Sequence, residues 1–177
     1  MDNFYYFIDK FDSQEILKLN KKVNIIYRNY KRKYNEDHIR KIKKLCKISK
    51  RKFYLANNLN LVLKFKLDGL YIPSFNKSFD LKYIQIKKFE ILGSAHNFRE
   101  IYFKKKQGVN KLFLSPLFKT EKSKKKLGII KYKILSNLIF TKNIALGGIN
   151  SNNIKKLKML NCDGFAAIRY FKKWLKI

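Results

Sequence analysis

The sequence predicts a compact (β/α)8 TIM barrel with short helices and loops, and three observations predict it. Short apolar runs alternate with lysine-studded, helix-periodic segments along the whole chain. The alternation is regular, at roughly 20 residues per pair, with no odd strand and no long insertion. Near the end, Asn143 to Asn150 (N-I-A-L-G-G-I-N) reads as a strand that breaks at two glycines and restarts as a helix, as the seventh unit of such a barrel would. An open doubly wound sheet is the competing architecture, but eight regular repeats favour closure. The chain has 177 residues, against about 250 for a typical barrel, so its helices and loops must be minimal.

Taken in order, the strands are expected at Tyr5 to Ile8, Val23 to Tyr27, Phe53 to Ala56, Gly69 to Ile72, Phe89 to Leu92, Lys111 to Leu114, Ile144 to Leu146 and Gly164 to Ala167. Asp12 or Ser13 can cap a first helix, with Glu15 following. Asn35 can cap Glu36 to Ile48, whose Ile39, Ile42, Leu45 and Cys46 share one face. Leu59 to Lys66, Phe79 to Ile84, Phe98 to Lys106 and Leu127 to Leu138 follow as short helices. Ser151 can cap a seventh carrying Ile154, Leu157 and Leu160 on its buried side, and Tyr170 to Lys176 closes the chain. Nothing in the composition divides residues 1–177, so the reading is of one domain.

The formal net charge is +30, from 42 basic and 12 acidic residues. Such a charge attracts polyanions, and a basic RNA-binding protein is the reading it suggests from a different class. Only Arg28, Arg32, Arg40, Arg51, Arg99 and Arg169 are arginines, however, whereas base readout leans on arginine forks. The lysines are spread over nearly every segment, as on solvated helix faces, and no specific nucleic-acid partner is expected. The start, M-D-N-F-Y-Y-F-I-D, fits neither a secretory signal nor a membrane span, so a cytoplasmic protein is expected. Cys46 and Cys162 match no metal-ligand spacing and read as small buried residues.

In a barrel the chemistry belongs to the residues that follow each strand. These are Arg28; Asn57 and Asn58; Ser74 and Asn76; Ser94 and His96; Ser115 and Thr120; Gly147 and Gly148; and Arg169. The two glycines can leave backbone N–H groups uncovered for a phosphate, supported by the next helix N-terminus. Lys104 to Lys106 close a helix, where cations suit the dipole. Lys124 to Lys126 fall on the same rim as the glycines.

Taken together, these stretches resemble the thiamine phosphate synthase and TenI superfamily. Y-Y-F-I-D, I-I-Y-R, Y-L-A-N-N, D-G-L-Y-I-P-S-F-N, I-L-G-S-A-H-N, L-F-L-S-P-L-F-K-T, I-A-L-G-G-I-N and D-G-F-A-A-I-R follow the order and spacing of its partial motifs over almost the whole chain. The resemblance implies a barrel that condenses hydroxymethylpyrimidine diphosphate with a thiazole phosphate, expelling diphosphate with Mg²⁺. It implies catalytic roles for Arg28, Ser94 and His96. Substrate and phosphate contacts would fall on Asn57, Thr120, Lys122, Lys124, Gly147, Gly148 and Arg169. The two metal-holding aspartates correspond to Asn58 and Asn76, and loss of both carboxylates is the main departure. Three outcomes stay open: a synthase, a metal-free TenI-type thiazole phosphate tautomerase using His96, and a non-catalytic phosphate-binding relative.

Overall fold

A computed structural model describes residues 3–30, 33–79, 89–121, 125–139 and 141–172. Eight parallel strands close into a barrel in sequence order, β1(Asn3–Ile8), β2(Val23–Tyr27), β3(Phe53–Ala56), β4(Gly69–Ile72), β5(Glu90–Ala95), β6(Lys111–Leu114), β7(Lys142–Leu146) and β8(Gly164–Ala166). The helices are α1(Ser13–Lys18), α2(Glu36–Ile48), α3(Leu59–Lys64), α4(Phe98–Lys106), α5(Gly128–Ser136) and α6(Arg169–Lys172), with a 3-10 helix at Ile154–Met159. The helix expected at Phe79 to Ile84 lies outside the described residues apart from its first position, as does the end of the last helix beyond Lys172.

The strands form where expected because each is buried on both faces, the condition that gives parallel strands their unbroken apolar runs. Alternate side chains turn inward, and Tyr5, Phe7, Ile26, Tyr54, Ala56, Tyr71, Leu92, Phe113, Ile144 and Ala166 fill the barrel. Aromatic edges meet faces there, with Tyr5 and Phe113 at 5.0 Å and Phe7 and Tyr71 at 5.3 Å between ring centroids. The interior is a packed plug, so only its ends are open to ligands. β5 runs three residues further than the sequence suggested, because Gly93, Ser94 and Ala95 continue the ladder against β6. Gly93 also makes room: a Cβ there would lie 2.7 Å from Val109 and 3.1 Å from the Lys104 stem.

Capping sets the helix starts. Asp12 accepts from the Glu15 N–H at 3.0 Å, and Asn35 accepts from Asp37 and His38 at 2.9 and 3.2 Å. Asn97 and Glu100 bond reciprocally around the start of α4, where Glu100 also accepts from the His96 N–H at 2.7 Å. The expected seventh helix is corrected. Asn152 N–H and Asn150 N–H donate to the side chains of Asn150 and Asn153, both at 2.9 Å. Such local turns compete with helix, and Ile154–Met159 forms a 3-10 helix without a side-chain cap, so Ser151 does not cap a helix here.

At the N-terminal end of the barrel, Glu90 gathers Lys52 at 3.1 Å, Lys111 at 3.2 Å and the Tyr54 hydroxyl. Burial raises the Glu90 carboxyl, but Tyr54, Lys52 and Lys111 outweigh it and hold the group below its ordinary range. A cavity of about 610 Å³ opens at this end, bordered by Lys52, Lys111 and Lys142. Both cysteines are free, with thiols pushed up by burial to about 12 at Cys46 and about 11 at Cys162.

Candidate active site at the barrel mouth

At the C-terminal ends of the strands the structure brings together two groups of the sequence-chosen residues. The first spans β2 to β5. Arg28 follows β2, its N–H bonded to Ile8 O at 2.8 Å, and its guanidinium lies over the Phe7 ring at 4.7 Å. It borders a cavity of about 430 Å³ that also takes in Asp9, Asp12, Lys10 and Lys172. Asn57 follows β3 with φ +55°, a backbone position asparagine tolerates better than most residues. Its Oδ1 accepts from Asn76 Nδ2 at 2.6 Å, which ties the β3 and β4 loops. Phe75 on the β4 loop packs edge-on against Tyr30 at 5.2 Å, tying that loop to the one after β2.

His96 joins β5 to its neighbours on both sides. Its Nδ1 lies 2.7 Å from Ser115 O and 3.1 Å from Ser115 Oγ, and its Nε2 lies 3.0 Å from Ser74 Oγ. A carbonyl only accepts, so Nδ1 carries the proton in the neutral ring and Nε2 accepts from the Ser74 hydroxyl. Ser94 is buried two residues earlier on the inward face, near Tyr71. Burial raises the Tyr71 phenol, while Ser94 and the Arg28 charge lower it, and the net shift is upward.

The second group spans β6 to β8. Gly147 and Gly148 have φ of +98° and +69° and pack directly on the β6 loop. Leu117 N–H donates to Leu146 O at 2.8 Å and Phe118 N–H to Gly147 O at 3.0 Å. Thr120 follows two residues on. Arg169 opens α6 and pairs with Glu121 of the β6 loop, so the β6, β7 and β8 loops form one connected edge. The glycine loop therefore has no regular α-helix N-terminus behind it. Lys122 and Lys124 lie outside the described residues.

The side-chain oxygens at the two proposed metal positions have backbone partners. Asn58 is the N-cap of α3, its Oδ1 accepting from Leu61 N–H at 3.0 Å. Asn76 Oδ1 accepts from Ser78 N–H at 2.8 Å. Both oxygens are neutral and engaged locally, so this pair does not fit Mg²⁺, which seeks hard and usually anionic oxygens. Among the described residues, no group of three His, Cys, Asp or Glu side chains could hold a metal.

Sequence reasoning missed Lys104. It sits on the buried side of α4, 1% exposed, instead of serving the helix terminus. The available signal was its spacing of three from Ile101, on the face that packs against the barrel.

A closed parallel barrel with a glycine turn on its seventh loop and polar residues on the others is a (β/α)8 barrel, a fold in which many enzymes hold phosphate at the last loops. The profile of one such family, described as thiamine monophosphate synthase (TMP-TENI), matches residues 13–171. This chain belongs to that family. Among curated relatives, the thiamine-phosphate synthase of Prochlorococcus marinus subsp. pastoris is 33% identical over 144 residues, covering 77% of this chain and 40% of the relative. That of Clostridioides difficile is 29% identical over 142 residues, covering 75% and 66%. The chain thus spans about two fifths of the length of the Prochlorococcus relatives. A solved thiamine phosphate pyrophosphorylase from Pyrococcus furiosus superposes with a TM-score of 0.75 at 16% identity, covering 99% of this chain and 96% of that one. At that identity the likeness shows the fold. Among the described residues no helix is long and apolar enough to cross a membrane.

Proposed function

We propose that this chain is a thiamine phosphate synthase of thiamine biosynthesis, acting in the cytoplasm on hydroxymethylpyrimidine diphosphate and a thiazole phosphate. The observation that carries the reading is the joined edge of the β6, β7 and β8 loops, held by Phe118 N–H on Gly147 O at 3.0 Å and by Arg169 on Glu121. It gives one substrate a phosphate seat separate from the polar rim of β2 to β5. In the reaction the thiazole nitrogen bonds to the pyrimidine methylene carbon. The carbon–oxygen bond to diphosphate breaks and its electron pair leaves on the diphosphate.

The residues present suit parts of that task. Arg28 supplies fixed positive charge for the leaving diphosphate. Asn57 and Ser94 offer polar contacts to the pyrimidine, and Thr120, Gly147 and Gly148 a seat for the thiazole phosphate. The family's chemistry uses Mg²⁺. With asparagines at positions 58 and 76, more of the charge neutralisation falls on Arg28.

Thiazole phosphate tautomerisation is the second reading, favoured by His96. Its Nε2 lies 3.0 Å from Ser74 Oγ and is placed as a proton acceptor. One assay separates the two. Purified protein is incubated with both precursors, and separately with the thiazole tautomer alone. Thiamine phosphate in the first vessel supports the synthase, conversion only in the second supports the tautomerase, and neither product overturns both.

A further inference from the structure

Lys104 and Gln107 are buried polar side chains behind the site described above, and apart from the bond between them their side-chain hydrogen bonds reach one loop, the one after β4. The Lys104 stem crosses Gly93, where a side chain would stand 3.1 Å from its Cδ. Its ammonium donates to Pro73 O at 2.8 Å, Asn76 O at 2.7 Å and Gln107 Oε1 at 2.8 Å. Three protons meet three acceptors. Gln107, fully buried, donates in turn to Asn76 O at 3.1 Å and Ser78 O at 2.7 Å. Carbonyls of residues 73, 76 and 78 are therefore gripped from behind by α4.

The front of the same loop carries the rim. Ser74 holds His96 Nε2 at 3.0 Å and Asn76 holds Asn57 at 2.6 Å. A buried ammonium is costly, and an apolar residue would fill the space more cheaply for stability alone. Burial accordingly pulls Lys104 down to about 8.

We propose that Lys104, with Gln107, is a positioning residue that sets the β4 loop so that Ser74 and Asn76 meet His96 and Asn57 in register for the pyrimidine diphosphate. The proposal rests on the synthase reading of the rim, but its test does not depend on turnover. Lys104→Met keeps the stem and removes the ammonium, and Lys106→Met removes the same charge from the exposed end of α4. Calorimetry measures each substrate's binding, and hydrogen exchange measures the amides of residues 74–78.

Lys104→Met is expected to weaken pyrimidine diphosphate at least about tenfold, the loss of a charge-assisted hydrogen bond or more. Its loop amides exchange faster, while thiazole phosphate binding changes by less than about twofold. Lys106→Met should change none of these. Faster loop exchange with pyrimidine diphosphate binding unchanged, or equal weakening of both substrates, overturns the positioning role. Absence of pyrimidine diphosphate binding to the wild type overturns the synthase reading and with it the role. If Lys104→Met does not fold, Gln107→Met removes the second pair of donors and is expected to act in the same direction, with the same outcomes deciding.

Discussion

Replacing Gly148 with alanine tests whether the glycine edge is a seat for phosphate or a turn that any small residue could make. A Cβ at Gly148 would stand 2.7 Å from the carbonyl carbon and oxygen of Phe118, and closer still to Lys119 O. Those are backbone atoms of the β6 loop and cannot rotate aside. Gly128 supplies the control, since its φ of +70° matches the +69° of Gly148 yet nothing lies within 4 Å of its Cβ position. Both substitutions carry the left-handed backbone penalty of about 1–2 kcal/mol, part of which is offset by about 0.4–1 kcal/mol through the stiffer unfolded chain. Only Gly148→Ala adds the cost of displacing packed backbone, about 1–3 kcal/mol. The net loss is therefore about 2–4 kcal/mol at Gly148 and about 1 kcal/mol or less at Gly128. For a chain of this size each kcal/mol lowers Tm by about 2–4 °C. Thermal unfolding and thiazole phosphate titration are the assays. Gly148→Ala should lose binding and Gly128→Ala should keep it. A Gly148→Ala protein that melts and binds like the Gly128 variant would refute the contact with the β6 loop. Because of that contact, a leucine at Gly148 would remodel the loop as well as block the seat, so the small substitution is the informative one.

Two further outcomes follow from the same contacts. Asn58→Ala removes the α3 cap and should cost about 1 kcal/mol, or about 2–4 °C in Tm, whereas Asn58→Asp, which also caps, should leave Tm nearly unchanged in a melting experiment. Lys104 is held down to about 8 from the ordinary 10.5 by burial, against the opposing charge of Glu100. The unfolded chain then binds the extra proton between those values, so this residue's contribution to stability rises with pH across that window and is lost as pH falls through about 8. The gap in unfolding free energy between wild type and Lys104→Met should widen in favour of wild type by up to about 3 kcal/mol over that range. A gap flat with pH would contradict it.

What the sequence made legible was set by local physics. The strands β2, β3, β4 and β6 fall on the residues expected, because short, mostly apolar runs have one way to be buried on both faces. The helix Glu36–Ile48 and its Asn35 cap were equally plain. The departures are of two kinds, residues whose partners are distant in sequence and asparagines whose side chains take local backbone partners. Lys104 looked like a helix-end cation until its bonds to Pro73 and Asn76 came into view. Asn58 looked like a replaced metal ligand, but position and residue type also suit an N-cap, and α3 uses it so. Gly93 and Ser94 seemed to end a strand, yet small residues let α4 pack close and β5 continues beneath it. The stretch after Gly148 reads as the approach to a helix, and the Asn150 and Asn153 side chains instead bond the backbone of Asn152 and Gly148.

The central claim is that the substrates sit at the C-terminal mouth on two edges, the thiazole phosphate against β6 to β8 and the pyrimidine diphosphate against β2 to β5. Backbone amide shifts on titrating each substrate into the wild-type protein test it most directly. The thiazole phosphate should move Phe118, Lys119, Thr120, Gly147 and Gly148, and the pyrimidine diphosphate should move Arg28, Asn57, Ser74 and Asn76. Shifts centred on Lys52, Lys111 and Lys142, at the opposite end of the barrel, would contradict it.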